Sequence, residues 1–419
     1  MKKLLFFCLI TNHLFVVSQV CAYDHVIHKK KSNQAFVDKY ETIYNIARHR
    51  LSNNTNTYYI PVVFHVVYNS ESQNIPDSVI ASQIDVLNED YRRLNTNASE
   101  TREEFLEFAG DANIEFFLAN IDPDGNQTNG IIHQYTEREE FMLIEDIFST
   151  EIALDEVKSS ETGGSDAWDT SKYLNIWVCN IGSLEIAGYA LGQVFGYAYP
   201  PTNIDEALVD LSATQTVPYW PTDMLTNDES VQGVVIHYTT VGRNNPSAND
   251  DGMTENNQGR TAVHEIAHYL GLRHIWGDGN AFFGEDGCNV DDGISDTPNA
   301  SDQAGYVCDF NKNTCSGDTF GSSGEDLPDM VENYMDYSPD NCMNMFTNGQ
   351  INVMRNVLEI SRTGLINTES SLHVNDEILH ADKRELIKKI DILGRENNNS
   401  CFAIEIYNDG STKKLYNVK

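Results

Sequence analysis

The stretch from Gly259 to Asp278 constrains this chain more than any other, because it fixes a helix, its stop and the return of the chain. His264 and His268 are four positions apart, so on a helix they lie one turn apart on one face. Two imidazoles placed this way can bind one metal ion. Glu265 follows the first of them, where it can reach a water on the metal instead of the metal itself. That is the zinc-protease pattern His-Glu-x-x-His. Gly271 tolerates the left-handed conformation that stops a helix and turns the chain. The turn can bring His274 back to the same ion, and three neutral nitrogen ligands leave a fourth position open. The short motif alone could be an ordinary amphipathic helix with Val263, Ile266, Ala267 and Leu270 as core. The extension through Gly271 and His274 argues against that, because it fixes further positions in the order the geometry demands.

With 419 residues and 40% hydrophobic content, the chain is long enough for one large domain or two with a real core. Its formal net charge of −35 repels phosphate backbones and anionic lipid, which argues against nucleic-acid and membrane-surface partners. It suits a secreted or cell-surface protein. Lys2-Lys3 and the apolar run Leu4 to Val17 read as a secretory signal peptide over 1–22, too short to span a membrane, with cleavage expected after Ala22. Cys21 would then leave with it. Of the remaining cysteines, Cys288, Cys308, Cys315 and Cys342 cluster downstream of the metal helix, which in an exported protein favours disulfides. Four cysteines permit three pairings, and the residues themselves do not choose among them. Cys179 reads as a buried strand thiol, and Cys401 stands alone in the tail.

Residues 23–57 read as a propeptide or spacer, with a modest helical pattern through Phe36, Tyr40, Ile43, Tyr44 and Ala47. The main domain is expected over 58–366. Strands are expected at Tyr59 to Tyr68, Ile114 to Ala119, Leu174 to Cys179 and Gly233 to Tyr238, with Gly130 to His133 also extended. Pro76 and Asp77 open a helix with Val79, Ile80, Ile84, Leu87 and Tyr91 on one face. His65, inside the first strand, is expected to be a core histidine satisfied by hydrogen bonds. The loops around Tyr199-Pro200-Pro201 and Pro218 to Pro221 should bound a cleft. The fold class is therefore α/β (α+β), a mixed, twisted sheet under the metal helix, with a subdomain split near 275–278. Loops should dominate residues 279 to about 330. There Asp291, Asp292, Asp296 and Thr297 offer hard oxygens that would suit Ca2+, although an Asp-rich turn without an ion would read the same. A helix is expected from Asn348 to Leu358. Residues 367–419 carry two short strands around an Asn-rich turn.

A Met downstream of the extended motif, in Asn333-Tyr334-Met335-Asp336-Tyr337, looks like the Met-turn of metzincin metallopeptidases. More narrowly, the chain resembles the pappalysin family in its cytophagalysin and ulilysin types. Ile60-Pro61-Val62-Val63-Phe64-His65-Val66, Val86 to Arg93, Leu174 to Val178 and His274-Ile275-Trp276-Gly277-Asp278 carry the resemblance, which spans Ile60 to about Arg362. It implies one zinc on His264, His268 and His274, Glu265 as general base, Met335 as the floor below the metal and Tyr337 as oxyanion donor. It also implies the pairs Cys288–Cys315 and Cys308–Cys342, and calcium at 291–297. Some relatives are held inactive by a propeptide cysteine on the zinc. Residues 23–57 contain none, so Asp24 or Asp38 becomes the expected occupant. The tail over 367–419 is similar to the sorting tails that Bacteroidetes proteins present to outer-membrane secretion machinery.

These readings converge on a secreted zinc endopeptidase acting on protein or peptide substrates. Its rivals are an inactive or latent cell-surface binding protein on the same fold, whose mark would be a damaged ligand or base, and an amidase for non-peptide substrates. Asp336, Asp340 and Met343 are the candidates for lining the pocket on the leaving-group side.

Overall fold

The structure is a computed structural model that describes Cys21, Tyr23 and residues 34–52, 54–141, 155–182, 184–186, 189–203, 231–250, 255–277, 288, 291–305, 307–317, 325–366, 386–390, 402–407 and 412–416. The chain divides into two compact units, 1–368 and 369–419. Among the described residues no helix is long and apolar enough to cross a membrane.

The first unit is built around β1, Tyr58–Tyr68, whose β-branched and aromatic residues are buried along almost its whole length. One flank of β1 takes β2, Ile114–Leu118, along its first half and β3, Ile131–Tyr135, along its second, both parallel. The other flank takes β4, Leu174–Cys179, from Val62 onwards. Pro61, which has no N–H to give, falls just before that second pairing starts. The hairpin of β5, Leu184–Ile186, and β6, Tyr189–Gly192, stands apart as a two-stranded sheet. The main sheet runs β2-β1-β4, then β8, Val234–His237, and ends in β7, Gly196–Ala198. Strand β8 is parallel to β4, whereas β7 is antiparallel to β8. The sheet is mixed for that one reason.

Three helices flank this sheet or reach the histidines. Helix α1 is Gln34–His49, α2 is Asp77–Tyr91, and α3, Arg260–Tyr269, carries His264 and His268. The front face of the sheet, with Ile176, Phe195, Ala198 and Ile236, shares one core with α2 and α3. The back face, with Trp177, Cys179, Tyr197, Tyr199 and Val235, forms a second, smaller core. The Tyr91 hydroxyl donates to the Val263 carbonyl at 3.1 Å, and Gln83 Nε2 donates to the Gly259 carbonyl at 2.9 Å, so α2 sets the position of α3. Helix α4, Asn348–Ile360, closes the other side and is followed by the single turn α5, Thr363–Ile366.

The residues beyond α3 hold their shape by other means. Disulfides join Cys288 to Cys315 and Cys308 to Cys342, with Cα atoms 5.5 and 5.9 Å apart, the pairing that the family resemblance implies. The second unit is a three-stranded antiparallel sheet of β9, Leu386–Ile390, β10, Phe402–Tyr407, and β11, Thr412–Tyr416. Where two strands were expected there are three. Cys401 and the stretch Pro218 to Pro221 lie outside the described residues.

Residues 34–52 are more than a spacer. Tyr40, Tyr44 and Ala47 of α1 are buried in the main core. Asn352 and Asn356 of α4 donate to the carbonyls of Ala47 and Arg50, and Arg50 pairs with Glu359.

Candidate metal centre

Helix α3 ends where the sequence pattern puts its stop. Gly271 has φ +95°, its N–H donates to the His268 carbonyl at 2.9 Å, and the Leu272 N–H reaches back to Ala267 at 2.9 Å. This paired closure turns the chain so that His274 comes back beneath the helix. The Nε2 atoms of His264 and His268 then stand 3.0 Å apart, and those of His268 and His274 3.1 Å apart. Ligands on one tetrahedral ion with nitrogens at about 2.05 Å would lie about 3.3 Å apart. The outer nitrogens are fixed by backbone. His264 Nδ1 donates to the Tyr334 carbonyl at 2.6 Å and His268 Nδ1 to the Leu272 carbonyl at 2.8 Å, which turns both Nε2 lone pairs inward. Burial, and then the neighbouring His274, push the His264 imidazole down to about 3, and burial with His274 and His264 holds His268 well below the usual imidazole range. Three imidazoles whose Nε2 atoms converge suit a divalent zinc ion, so donor set and geometry fit.

A fourth ligand atom joins them, where the sequence pattern did not place one. Cys21 Sγ lies with the three histidine nitrogens in a group within 4.8 Å of one another, all four residues buried. The backbone at Cys21 forms a parallel bridge with Gly196 of β7, and the Tyr23 N–H donates to the sulfur at 3.2 Å. The Tyr23 ring stacks on His268, centroids 3.8 Å apart. Its hydroxyl meets that of Tyr40 at 2.7 Å, and Arg273 Nε donates to Tyr40 at 3.0 Å. The expectation of a carboxylate on the metal is corrected for Asp38, which is exposed on α1; Asp24 lies outside the described residues. Counting Cys21 with the leader hides this sulfur from a reading of the sequence.

Glu265 is fully buried. Its side chain lies against Gly196, where an added Cβ would fall 2.6 Å from Glu265 Cγ and 2.8 Å from Oε1. Met335 is fully buried, and its carbonyl accepts the Ile275 N–H at 3.3 Å, which ties the turn at 333–337 to the segment after His274. Tyr337 faces the cluster, with ring centroids 4.9 Å from His274 and 5.6 Å from His264. Its hydroxyl donates to the Cys21 carbonyl at 3.1 Å.

The other expected site residues are occupied elsewhere. Asp340 Oδ2 accepts N–H groups of Gln258 and Arg260 at 2.7 and 3.4 Å, so it caps α3 instead of lining a pocket. Asp336 Oδ1 accepts from the backbones of Ala304 and Tyr337, and burial pushes its carboxyl up to about 7. Met343 is buried. In the acidic loop, Thr297 Oγ1 lies 2.8 Å from both oxygens of fully buried Asp292, while Asp296 accepts from Thr347 and Gly349 at the start of α4. Asp291 is exposed. Among the described residues, only the Cys21 and histidine group places three or more such ligand atoms together.

The family model described as pregnancy-associated plasma protein-A matches residues 223–359. A solved structure of a promirolysin mutant from Tannerella forsythia is 34% identical, with 86% of this chain and 99% of that chain covered and a TM-score of 0.61. Mature mirolysin from the same organism, in complex with a cleaved peptide, is 38% identical over 77% of this chain and 98% of that one, with a TM-score of 0.56. The chain belongs to the pappalysin family of metzincin metalloproteases. An extracellular metalloprotease of Arthroderma benhamiae is 43% identical over 103 residues, 24% of this chain and 32% of that protein. The matched segment spans about a third of the length of such fungal relatives.

Proposed function

We propose that this pappalysin is a secreted zinc endopeptidase and that the arrangement described is its latent form. The observation that carries the reading is the convergence of three buried imidazoles, two of them oriented by backbone carbonyls, beside a buried carboxylate. His264, His268 and His274 would hold the zinc. When bound, zinc supplies Lewis acidity, lowering the pKa of a water and polarising a scissile carbonyl. Glu265 takes the proton of the attacking water and returns it to the leaving amine. The Tyr337 hydroxyl donates to the tetrahedral oxygen, and Met335 closes the floor.

Strand β7 ends the main sheet, and its side away from β8 suits a substrate bound as an added strand. In the latent form Cys21 occupies three of these functions at once. Its sulfur would take the fourth ligand position, its backbone takes the edge at Gly196, and its carbonyl takes the Tyr337 hydroxyl. The leader would then end upstream of Cys21, with Val16 and Ser18 offering a cleavage position.

Calcium at 291–297 rests on residue chemistry. Burial and the Asp291 carboxylate hold Asp292 well above the usual carboxylate range, and a bound cation would remove that penalty. A melting temperature indifferent to added Ca2+ would discard it. The 369–419 unit is proposed as the sorting tail, to be abandoned if its deletion leaves export unchanged.

For the reading as a whole, Glu265→Ala is expected to keep the fold and one zinc per chain by metal analysis while turnover drops at least about 1,000-fold. A folded, fully active Glu265→Ala protein would reject it.

A further inference from the structure

On the back face of the sheet, behind the edge strand, Lys158 has a side chain only 2% exposed. Its Nζ donates to the Val231 carbonyl at 2.6 Å and lies 3.2 Å from Asp155 Oδ1. It also stands 4.2 Å from the ring centroid of Tyr199, 5.3 Å from Tyr197 and 5.5 Å from Trp177. The Tyr199 hydroxyl donates to Asp155 Oδ2 at 2.8 Å, which closes a loop of contacts through Lys158, Asp155 and Tyr199.

The position of this cluster gives it meaning. Side chains alternate across a strand, so Gly196 and Ala198 face α3 while Tyr197 faces away, and Tyr199 lies with it in the back core. The front of β7 is pressed against Glu265 at Gly196 and its back against the Lys158 cage. Strand β7 has only three residues and, among the described strands, pairs with β8 alone. An edge that short does not hold itself in place. Val231, which Lys158 also grips, leads into β8, so one ammonium ties the tyrosines of the edge to the entry of the strand beside it. A buried ammonium is poorly suited to maximising stability, since an apolar side chain of similar volume often does as well. What a caged cation supplies is a directed hold on several partners at once.

We propose that Lys158 is a positioning residue for substrate, holding β7 in register against Glu265 and so setting the affinity for extended peptides. This rests on the reading of the chain as an endopeptidase that binds its substrate along β7.

The test compares the Cys21→Ala chain, freed of the latency proposed above, with the same chain carrying Lys158→Met, Lys158→Arg or Tyr199→Phe, by backbone hydrogen exchange and by steady-state cleavage of an extended peptide. Lys158→Met is expected to speed exchange at residues 195–199 at least about tenfold while β1 stays protected. KM should rise about tenfold with kcat within about threefold, and Lys158→Arg, which keeps the charge, should recover part of the loss. Unchanged exchange at 195–199, or a lowered melting temperature with KM unmoved, would overturn the proposal. If Lys158→Met does not fold, Tyr199→Phe decides, because it keeps the ring and removes the hydroxyl that bonds Asp155. If the Cys21→Ala chain cleaves nothing, the endopeptidase reading fails, and exchange still decides whether Lys158 holds the strand.

Discussion

Gly196 carries no side chain, and Glu265 lies where one would be. The steric demand is tight, since the added Cβ would meet Cγ, Oε1 and Cδ of Glu265, all within 3 Å. Gly196→Ala should therefore displace the carboxylate more than it unfolds the protein. The expected outcome is a kcat lowered about 10- to 100-fold with a melting temperature within a few degrees, checked by kinetics and thermal unfolding on the same preparation. Wild-type turnover in that variant would show that the carboxylate can move aside without consequence. At this scale the sequence was most legible where chemistry and spacing reinforce each other. His264, His268, Gly271 and His274 stand in the relation that their spacing implies, because one turn of helix and one left-handed residue dictate it. His65 is likewise a core histidine, bonded to Ser165 and Asn175. Cys21 was not legible, since its role comes from a contact with residues more than 240 positions away.

Long, strongly patterned elements were legible at the scale of the element. β1, β4, α2 and α4 lie within a few residues of the expected bounds, because each buries a face large enough to show in the pattern. β7 falls in a stretch that reads as loop. Three residues, one of them glycine, carry no alternation to recognise, and the strand exists through its pairing with β8. The start of α4 shows how a local signal is reused. Thr347 accepts the Gln350 N–H, Gln350 Oε1 accepts the Thr347 N–H at 2.9 Å, and Thr347 Oγ1 donates to Asp296 at 2.7 Å. This capping box fixes the helix that α1 packs against and engages the carboxylate expected to bind calcium. Thr347→Ala should destabilise the protein by about 1–2 kcal/mol in urea unfolding. A change within about 0.3 kcal/mol would mean that Asp296 and Gln350 cap the helix without it.

Burial of polar groups is what makes the whole molecule pH-sensitive. Burial pushes the His65 imidazole down to about 4, against an ordinary value of 6.5. Between those values the unfolded chain takes up a proton that the folded chain refuses. The contribution of this residue is therefore complete above pH 6.5 and is lost as pH falls towards 4, by roughly 3 kcal/mol if no other group compensates. His65→Gln should flatten the fall in stability between pH 7 and pH 4.5, measured as the change in urea midpoint. Asp336 titrates with the opposite sign, but it is present in both proteins and drops out of the difference. Equal slopes would show that His65 is protonated without cost. The proposed latency belongs to the same scale: Cys21 stands in the ligand group, Tyr23 stacks on His268, and Tyr40 of α1 holds both the Tyr23 hydroxyl and Arg273.

The most direct measurement is cleavage of a mixed peptide library by the Cys21→Ala chain and by the wild type, with and without a zinc chelator, the cuts being mapped by mass spectrometry. A latent zinc endopeptidase predicts prompt cleavage by Cys21→Ala, a long lag in the wild type, loss of all cuts on chelation and their return with one equivalent of zinc. Cuts that persist through complete removal of the metal would contradict it.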